Sequence, residues 1–254
     1  MHVDSESDYQ QELRTFEAGL STLSEVDLKE VGNVQGKKLL HLMCHFGLDT
    51  ISWAKQGACV TGIDFSEASI VAARRFAATQ AINVEFLCCN VYDLPDSFTG
   101  QFDVVYTEGG VLAWLPDMQA YANAVVRCLR LGGFFYIRDS HPFRRVIFPL
   151  VEDCDGQLAD NNYFSQDPTK INMVGSYAQS KVGTRHTVYF WVYGIGEIIS
   201  ALCSAGLRIE FLHEFPKQYK RLPTVLRTVT GELKDTIFHD WAIPSTFSLC
   251  ASLK

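Results

Sequence analysis

Apolar residues along this chain gather into short runs separated by stretches of helical spacing. Residues 38–43, 58–64 (ACVTGID), 83–89 (NVEFLCC), 102–108 (FDVVYTE) and 134–140 (FFYIRDS) are rich in small, β-branched or aromatic side chains and read as buried strands. Between them lie helical patterns. Residues 48–56 suit a helix closed by Gly57, and 66–81 (SEASIVAARRFAATQA) an alanine-rich helix with Ser66 as its cap. Residues 118–130 suit a helix stopped by Gly132 and Gly133. Ahead of these, residues 5–31 repeat Leu13, Phe16 and Leu20 at helical spacing, which predicts helix over that stretch. After them come a helix at 196–205 ended by Gly206, a sixth strand at 207–215, and a seventh at 246–254 that can pair antiparallel beside the fifth or sixth.

Strand and helix in alternation predict an α/β fold: a seven-stranded, mostly parallel sheet with helices on both faces. Two stretches break the rhythm. Residues 141–187 carry Pro142, Pro149 and Pro168 among Phe143, Phe148, Tyr163, Phe164 and Tyr177, and read as an inserted lid. Residues 216–245 read as a second irregular insertion. The division expected is an N-terminal helical segment, 1–35, that contributes to the lid, and one domain over 36–254.

Composition narrows the function. The chain has 254 residues, 47% of them hydrophobic, enough for a sizeable core. Its net charge of −7 comes with scattered Lys and Arg and no basic stripe, which argues against a nucleic-acid partner. No apolar run approaches the length of a membrane span, and the polar start "MHVDSESDYQQEL" is unlike a targeting peptide, so a cytoplasmic protein is expected. The eight cysteines show no CxxC spacing and sit mostly in apolar runs, as buried thiols of a reducing compartment do.

In such sheets ligands bind beyond the carboxyl ends of the strands. The first strand end, "LLHLMCHFGLDT" at 39–50, turns through Cys44-His45-Phe46-Gly47 into a helix. That turn presents backbone N–H groups and a helix N-terminus to a ligand. His41, Cys44 and His45 lack a second ligand pair at zinc spacing, so no metal is expected. Cys44 reads as a packed loop residue rather than a nucleophile, and His41, inside an apolar strand, as a core histidine. Asp64 ends the second strand, where a carboxylate can accept both hydroxyls of a ribose.

These strand ends together, with "NVYDLP", "FDVVYTEGGVLAWLPD", "LRLGGFFYIRDSHPF" and the late "GEIISALCSAGLRIEFLHEFP", resemble the class I S-adenosylmethionine-dependent methyltransferases over residues 30–254. A bacterial small-molecule group of that family has a similar first motif. The resemblance implies a Rossmann-like fold with S-adenosylmethionine as cofactor and S-adenosylhomocysteine as product. It places Met43, Cys44 and Gly47 at the methionine half of the cofactor, Asp64 at the ribose and Phe65 on the adenine. Asn90, where the family often has Asp, and Val91 would meet the adenine edge. Thr107 and Glu108, with Gly109, would lie near the amino-acid end. His41 departs from the acidic residue common in the wider superfamily. Val192, Tyr193 and Gly194 replace residues that are polar in close relatives, which shifts the expected substrate toward apolar or aromatic molecules.

His141, just past the fifth strand, and His213, at the end of the sixth, are the candidate catalytic bases; an unperturbed imidazole titrates at about 6.5. Trp114, Tyr163, Tyr177, Trp191 and Tyr193 are candidates for an aromatic substrate pocket. The expected activity is methyl transfer to an O, N, S or C nucleophile of a small molecule, by a monomer or homodimer. The rival is a protein of the same fold that binds the cofactor and performs other chemistry, or only binds.

Overall fold

The computed structural model describes residues 8–143, 163–176, 179–219 and 241–254. Its centre is a seven-stranded sheet. In chain order the strands are β1 (Lys38–Leu42), β2 (Cys59–Asp64), β3 (Glu85–Cys88), β4 (Phe102–Glu108), β5 (Leu129–Ser140), β8 (Leu207–Tyr219) and β9 (Trp241–Leu253). Across the sheet they run β3-β2-β1-β4-β5-β9-β8. The first five are parallel, and β9 is antiparallel to both of its neighbours, β5 and β8. The order reverses between β1 and β4, so their carboxyl ends flank the crevice where sheets of this kind bind ligands.

Strand alternation sends successive side chains to opposite faces. Leu40, Leu42, Val105, Phe135, Ile137, Phe247 and Leu249 face one way and form the main core. That core is covered by α5 (Met118–Cys128) and by α6 (Ile195–Ser204). Leu39, Val104, Tyr106 and Tyr136 face the other way, against Trp53 of α3 (Leu48–Lys55) and Val31 of α2 (Glu25–Val31). A third cluster joins Phe16 of α1 (Asp8–Glu17) to Ile51, Phe86 and the inner side of α4 (Glu67–Thr79).

Four expectations need correction. The N-terminal helical stretch is two helices, because the chain turns at Gly19 (φ 81°) and restarts at Ser24. Ser24 caps α2 in a reciprocal capping box with Asp27, a strong start signal inside an otherwise continuous apolar pattern. The helix expected over 118–130 ends at Cys128, since Leu129 is already extended and pairs with Phe102. Gly132 and Gly133 sit in a register shift of β5 rather than at a helix end.

The stretch expected to be an irregular lid contains a hairpin of β6 (Thr169–Ser176) and β7 (Gln179–Phe190). Its period-two pattern is obscured by a register shift at Val174/Gly175. The second irregular stretch is partly strand as well. β8 and β9 stay paired out to Tyr219 and Trp241, with Pro216 opposite Pro244 at a register shift. That position lies beyond the end of β5, where a proline removes no ladder bond to a third strand.

Candidate functional site

The turn after β1 takes its shape without the usual glycines. Met43 (φ 56°) and His45 (φ 50°) are left-handed, and so is Gly47 (φ 71°). Left-handed backbone costs a side-chain-bearing residue about 1–2 kcal/mol, so the surrounding bonds must hold it. They do: Cys44 N donates to Ile63 O at 2.8 Å, Gly47 N to Cys44 O at 2.8 Å, and His45 N to Asp64 Oδ2 at 2.9 Å. At Gly47 a Cβ would meet the Phe86 ring at 2.6 Å and Ala73 Cβ at 2.9 Å. Gly47→Ala is therefore expected to destabilise the fold by about 2 kcal/mol, from overpacking and backbone strain together; urea unfolding checks this, and a loss below about 0.5 kcal/mol would contradict it.

Asp64 is 7% exposed. Oδ1 accepts from Ser66 N and Oδ2 from His45 N, each at 2.9 Å. Burial pushes its pKa up, while these N–H donors pull it down. Each oxygen keeps a further lone pair for a ligand hydroxyl. Next to it the Phe65 ring is 72% exposed, an uncovered apolar face at a strand end. Ser66 caps α4 by accepting from Ser69 N. Just past β3, the strand beside β2, Val91 is buried and Asn90 exposed, with Asn90 Oδ1 accepting from Tyr92 N at 3.0 Å.

Burial pushes the Cys44 thiol up, with the Asp64 carboxylate adding to it, and this keeps the thiol protonated. Burial lowers His45 to about 4. It lowers His41 to about 3, and the His41 ring bonds Thr50 Oγ1 through Nδ1 at 2.8 Å. Thr107 is fully buried and bonds Tyr121 at 2.7 Å, on the α5 side of the sheet. Its neighbour Glu108 points to the other side, toward α3.

There Glu108 joins a network that sequence reasoning missed. Arg138 of β5 donates from Nη2 to Glu108 Oε2 at 2.9 Å and from Nε to Asp27 Oδ1 at 2.8 Å. Burial works against the charge on Arg138, but these carboxylates outweigh it and hold its pKa up. Tyr136 hydroxyl is shared between Asp27 and Glu30, and Glu30 also meets His213 Nδ1 at 2.8 Å. Asp49, in the first turn of α3, bonds Thr22 and lies within hydrogen-bonding reach of Glu108.

The two candidate bases are separated. His213 stacks on Phe211 and faces α2 through Glu30. His141 lies on the opposite face, edge-on to Phe247, and is 5% exposed. Its Nδ1 accepts from Phe143 N at 3.1 Å. Its Nε2 lies 2.8 Å from Glu214 Oε1, a close ion-pair contact outside hydrogen-bond alignment. Burial lowers the His141 pKa, and Glu214 opposes that.

Four of the five candidate aromatics gather around the turn after β4. Trp114 packs on Phe190 at 4.5 Å, and Trp191 N donates to Ala113 O at 2.9 Å. Tyr193 hydroxyl donates to Leu115 O at 2.6 Å, and Tyr163 hydroxyl accepts from Ile195 N at 3.1 Å. Val192 is buried there too, whereas Tyr177 lies outside the described residues.

Residues 39–133, which span these strand ends, match the family model described as a methyltransferase domain. A methyltransferase domain is thereby recognised over residues 39–133. A ubiquinone biosynthesis O-methyltransferase from Erwinia tasmaniensis is 34% identical over 98 residues, which is 39% of this chain and 40% of that protein. The chain spans about half the length, or less, of the curated relatives it matches, from 40% to 53% of the first of them. Among solved structures, a protein of Pyrococcus horikoshii OT3 superposes with a TM-score of 0.64 at 18% identity, covering 98% of this chain and 93% of its own. A S-adenosylmethionine-dependent methyltransferase from Clostridium acetobutylicum gives 0.60 at 14% identity, over 96% and 97%. At these identities the structures establish the methyltransferase fold.

Three features lie at the strand ends of this domain. A carboxylate with spare lone pairs ends β2, an uncovered aromatic ring follows it, and the β1–α3 turn holds backbone N–H groups at a helix N-terminus. Among the described residues no helix is long and apolar enough to cross a membrane.

Proposed function

We propose that this chain is an enzyme that uses S-adenosylmethionine to methylate a small molecule. The observation that carries the reading is Asp64, pinned at the end of β2 by two backbone N–H groups with the exposed Phe65 ring beside it. In this reading Asp64 receives the ribose hydroxyls, Phe65 covers one face of the adenine, and Asn90 and Val91 border its edge. The 43–47 turn and Glu108 border the amino-acid end. When bound, the cofactor supplies a methyl group on a sulfonium, ready for in-line displacement.

The chain's own work is then to orient the acceptor, exclude water and take up a proton where the nucleophile arrives protonated. The aromatic group at 111–115 and 190–195 supports an apolar or aromatic acceptor, and the β6–β7 hairpin packs on the same turn through Ile171, Phe190 and Ala113. The name of the Erwinia relative makes an oxygen acceptor the first class to try. Its match falls within less than half of either protein, which leaves N, S and C acceptors in the screen.

His141 is the base we propose. A carboxylate, Glu214, lies beside one ring nitrogen, the order of a base and its orienting acid. The other nitrogen, Nδ1, would take the proton once Phe143 N releases it. His213, on the far face, lacks that placement. The test is transfer of isotope-labelled methyl from S-adenosylmethionine to a panel of small phenols, amines and thiols. Label should move to an acceptor, and His141→Asn should slow the transfer about 100-fold while leaving S-adenosylhomocysteine affinity unchanged. Tight cofactor binding with no label moved to any acceptor would favour non-methylating chemistry or a pure binding role.

A further inference from the structure

Asp49, in the first turn of α3, and Glu108, the last residue of β4, lie within hydrogen-bonding reach of each other. His41 and Tyr106 are in register across β1 and β4, so Met43 and Glu108 continue side by side past the strand ends. Two ionised carboxylates at hydrogen-bonding distance repel, and one proton between them removes the repulsion and forms the bond. Burial and the neighbouring Asp49 push Glu108 well above the usual carboxylate range, with Arg138 only partly opposing them.

Among the described residues, this pair is short of positive charge. Arg138 divides its guanidinium between Glu108 and the fully buried Asp27. Tyr136 has one proton to offer both Asp27 and Glu30, and His213 is engaged by Glu30. His41 is held neutral by burial and turned to Thr50. Thr22 brings only a hydroxyl to Asp49. Among the described residues, three carboxyls, Asp27, Asp49 and Glu108, therefore share the guanidinium of Arg138.

A second observation points to a ligand. The Tyr106 hydroxyl is fully buried and has no hydrogen-bond partner among the described residues, and its charged neighbours there are Asp49, Glu108, Asp27 and Arg138. Asp49, Glu108 and Tyr106 together offer three acceptors, and a primary ammonium has three N–H donors and the missing charge.

We infer that the Asp49–Glu108 pair holds one shared proton in the ligand-free protein and releases it to solvent when a primary ammonium, that of the cofactor's amino-acid end, takes its place. This rests on the cofactor reading above. The proton passes to buffer, the ammonium keeps its own, and both carboxylates end ionised.

The test is calorimetric titration of the full chain near pH 7, in two buffers of different ionisation enthalpy. S-adenosylhomocysteine carries the ammonium, and 5′-methylthioadenosine lacks the whole amino-acid end. For S-adenosylhomocysteine the heats should differ between buffers by the equivalent of about one proton released per site, and for methylthioadenosine they should agree. Because the ligand binds the ionised pair, S-adenosylhomocysteine affinity should rise with pH, by up to about tenfold per unit, until the free pair ionises. Glu108→Gln and Asp49→Asn, each confirmed as folded by circular dichroism, should bind without proton release. Binding of S-adenosylhomocysteine to the wild type with equal heats in both buffers would overturn the inference and leave the cofactor reading intact. No binding at all would overturn both.

Discussion

Asp64→Ala should weaken S-adenosylhomocysteine binding about 100-fold while the protein stays folded. The carboxylate is asked to do two things in the same place. It is the proposed acceptor for the ribose hydroxyls, and it holds His45 N and Ser66 N, the donors that fix the turn and the start of α4. A hydrogen bond to a charged group contributes about 1.5–3 kcal/mol, so loss of two toward the ligand costs about 3 kcal/mol or more, near two orders of magnitude in affinity. Asp64→Asn separates the two roles. It keeps an amide oxygen for one backbone donor but removes the charge, and should weaken binding about tenfold. Calorimetry on both variants, with circular dichroism to confirm folding, checks the pair. A change below about threefold for Asp64→Ala would remove this residue from the site.

Arg138→Gln should destabilise the protein by about 3 kcal/mol, the largest effect on stability expected of a substitution in the network. The side chain ties α2 to the sheet through Asp27, which is fully buried, and reaches Glu108 as well. Deleting one partner of a buried ion pair leaves the other without compensation, at a typical cost of about 3–5 kcal/mol. The partial exposure of Arg138 places the expectation at the lower end. Arg138→Lys keeps the charge but not the two-pronged geometry and should recover about half of the loss. Urea unfolding at neutral pH measures both, and a loss below about 1 kcal/mol for Arg138→Gln would show that the pairs contribute little.

Much of this site was legible because strand ends are legible. β4 came out at its observed bounds from the run FDVVYTE, and Ser66 was recognised as a cap from the start of an alanine-rich pattern. Asp64 followed from the place where β2 must stop. The 43–47 turn was recognisable only in part: its shape is what glycines usually supply, and the chain places Met43 and His45 in left-handed backbone instead. No residue type in that stretch announces the conformation. The acid network was invisible for another reason. Arg138 and Asp27 are 111 positions apart, and nothing local pairs them. The available signals were a guanidinium inside FFYIRDS and a carboxylate at the end of FDVVYTE, charges in runs otherwise built for burial. The β6–β7 hairpin escaped notice because its strands lie among Pro, Gly and aromatic residues in a stretch without the helix–strand rhythm. The aromatic candidates were named from residue type alone, and the meeting of four of them around the β4 turn depends on long-range contacts, such as Tyr193 with Leu115.

The central claim is that the β1 turn, Asp64 and Phe65 form a cofactor site. Calorimetric titration of the wild-type chain with S-adenosylhomocysteine tests it most directly. The account predicts one-to-one binding in the micromolar range. Absence of measurable binding to a folded sample would contradict it, and the methyltransferase fold would then have to serve a function without that cofactor.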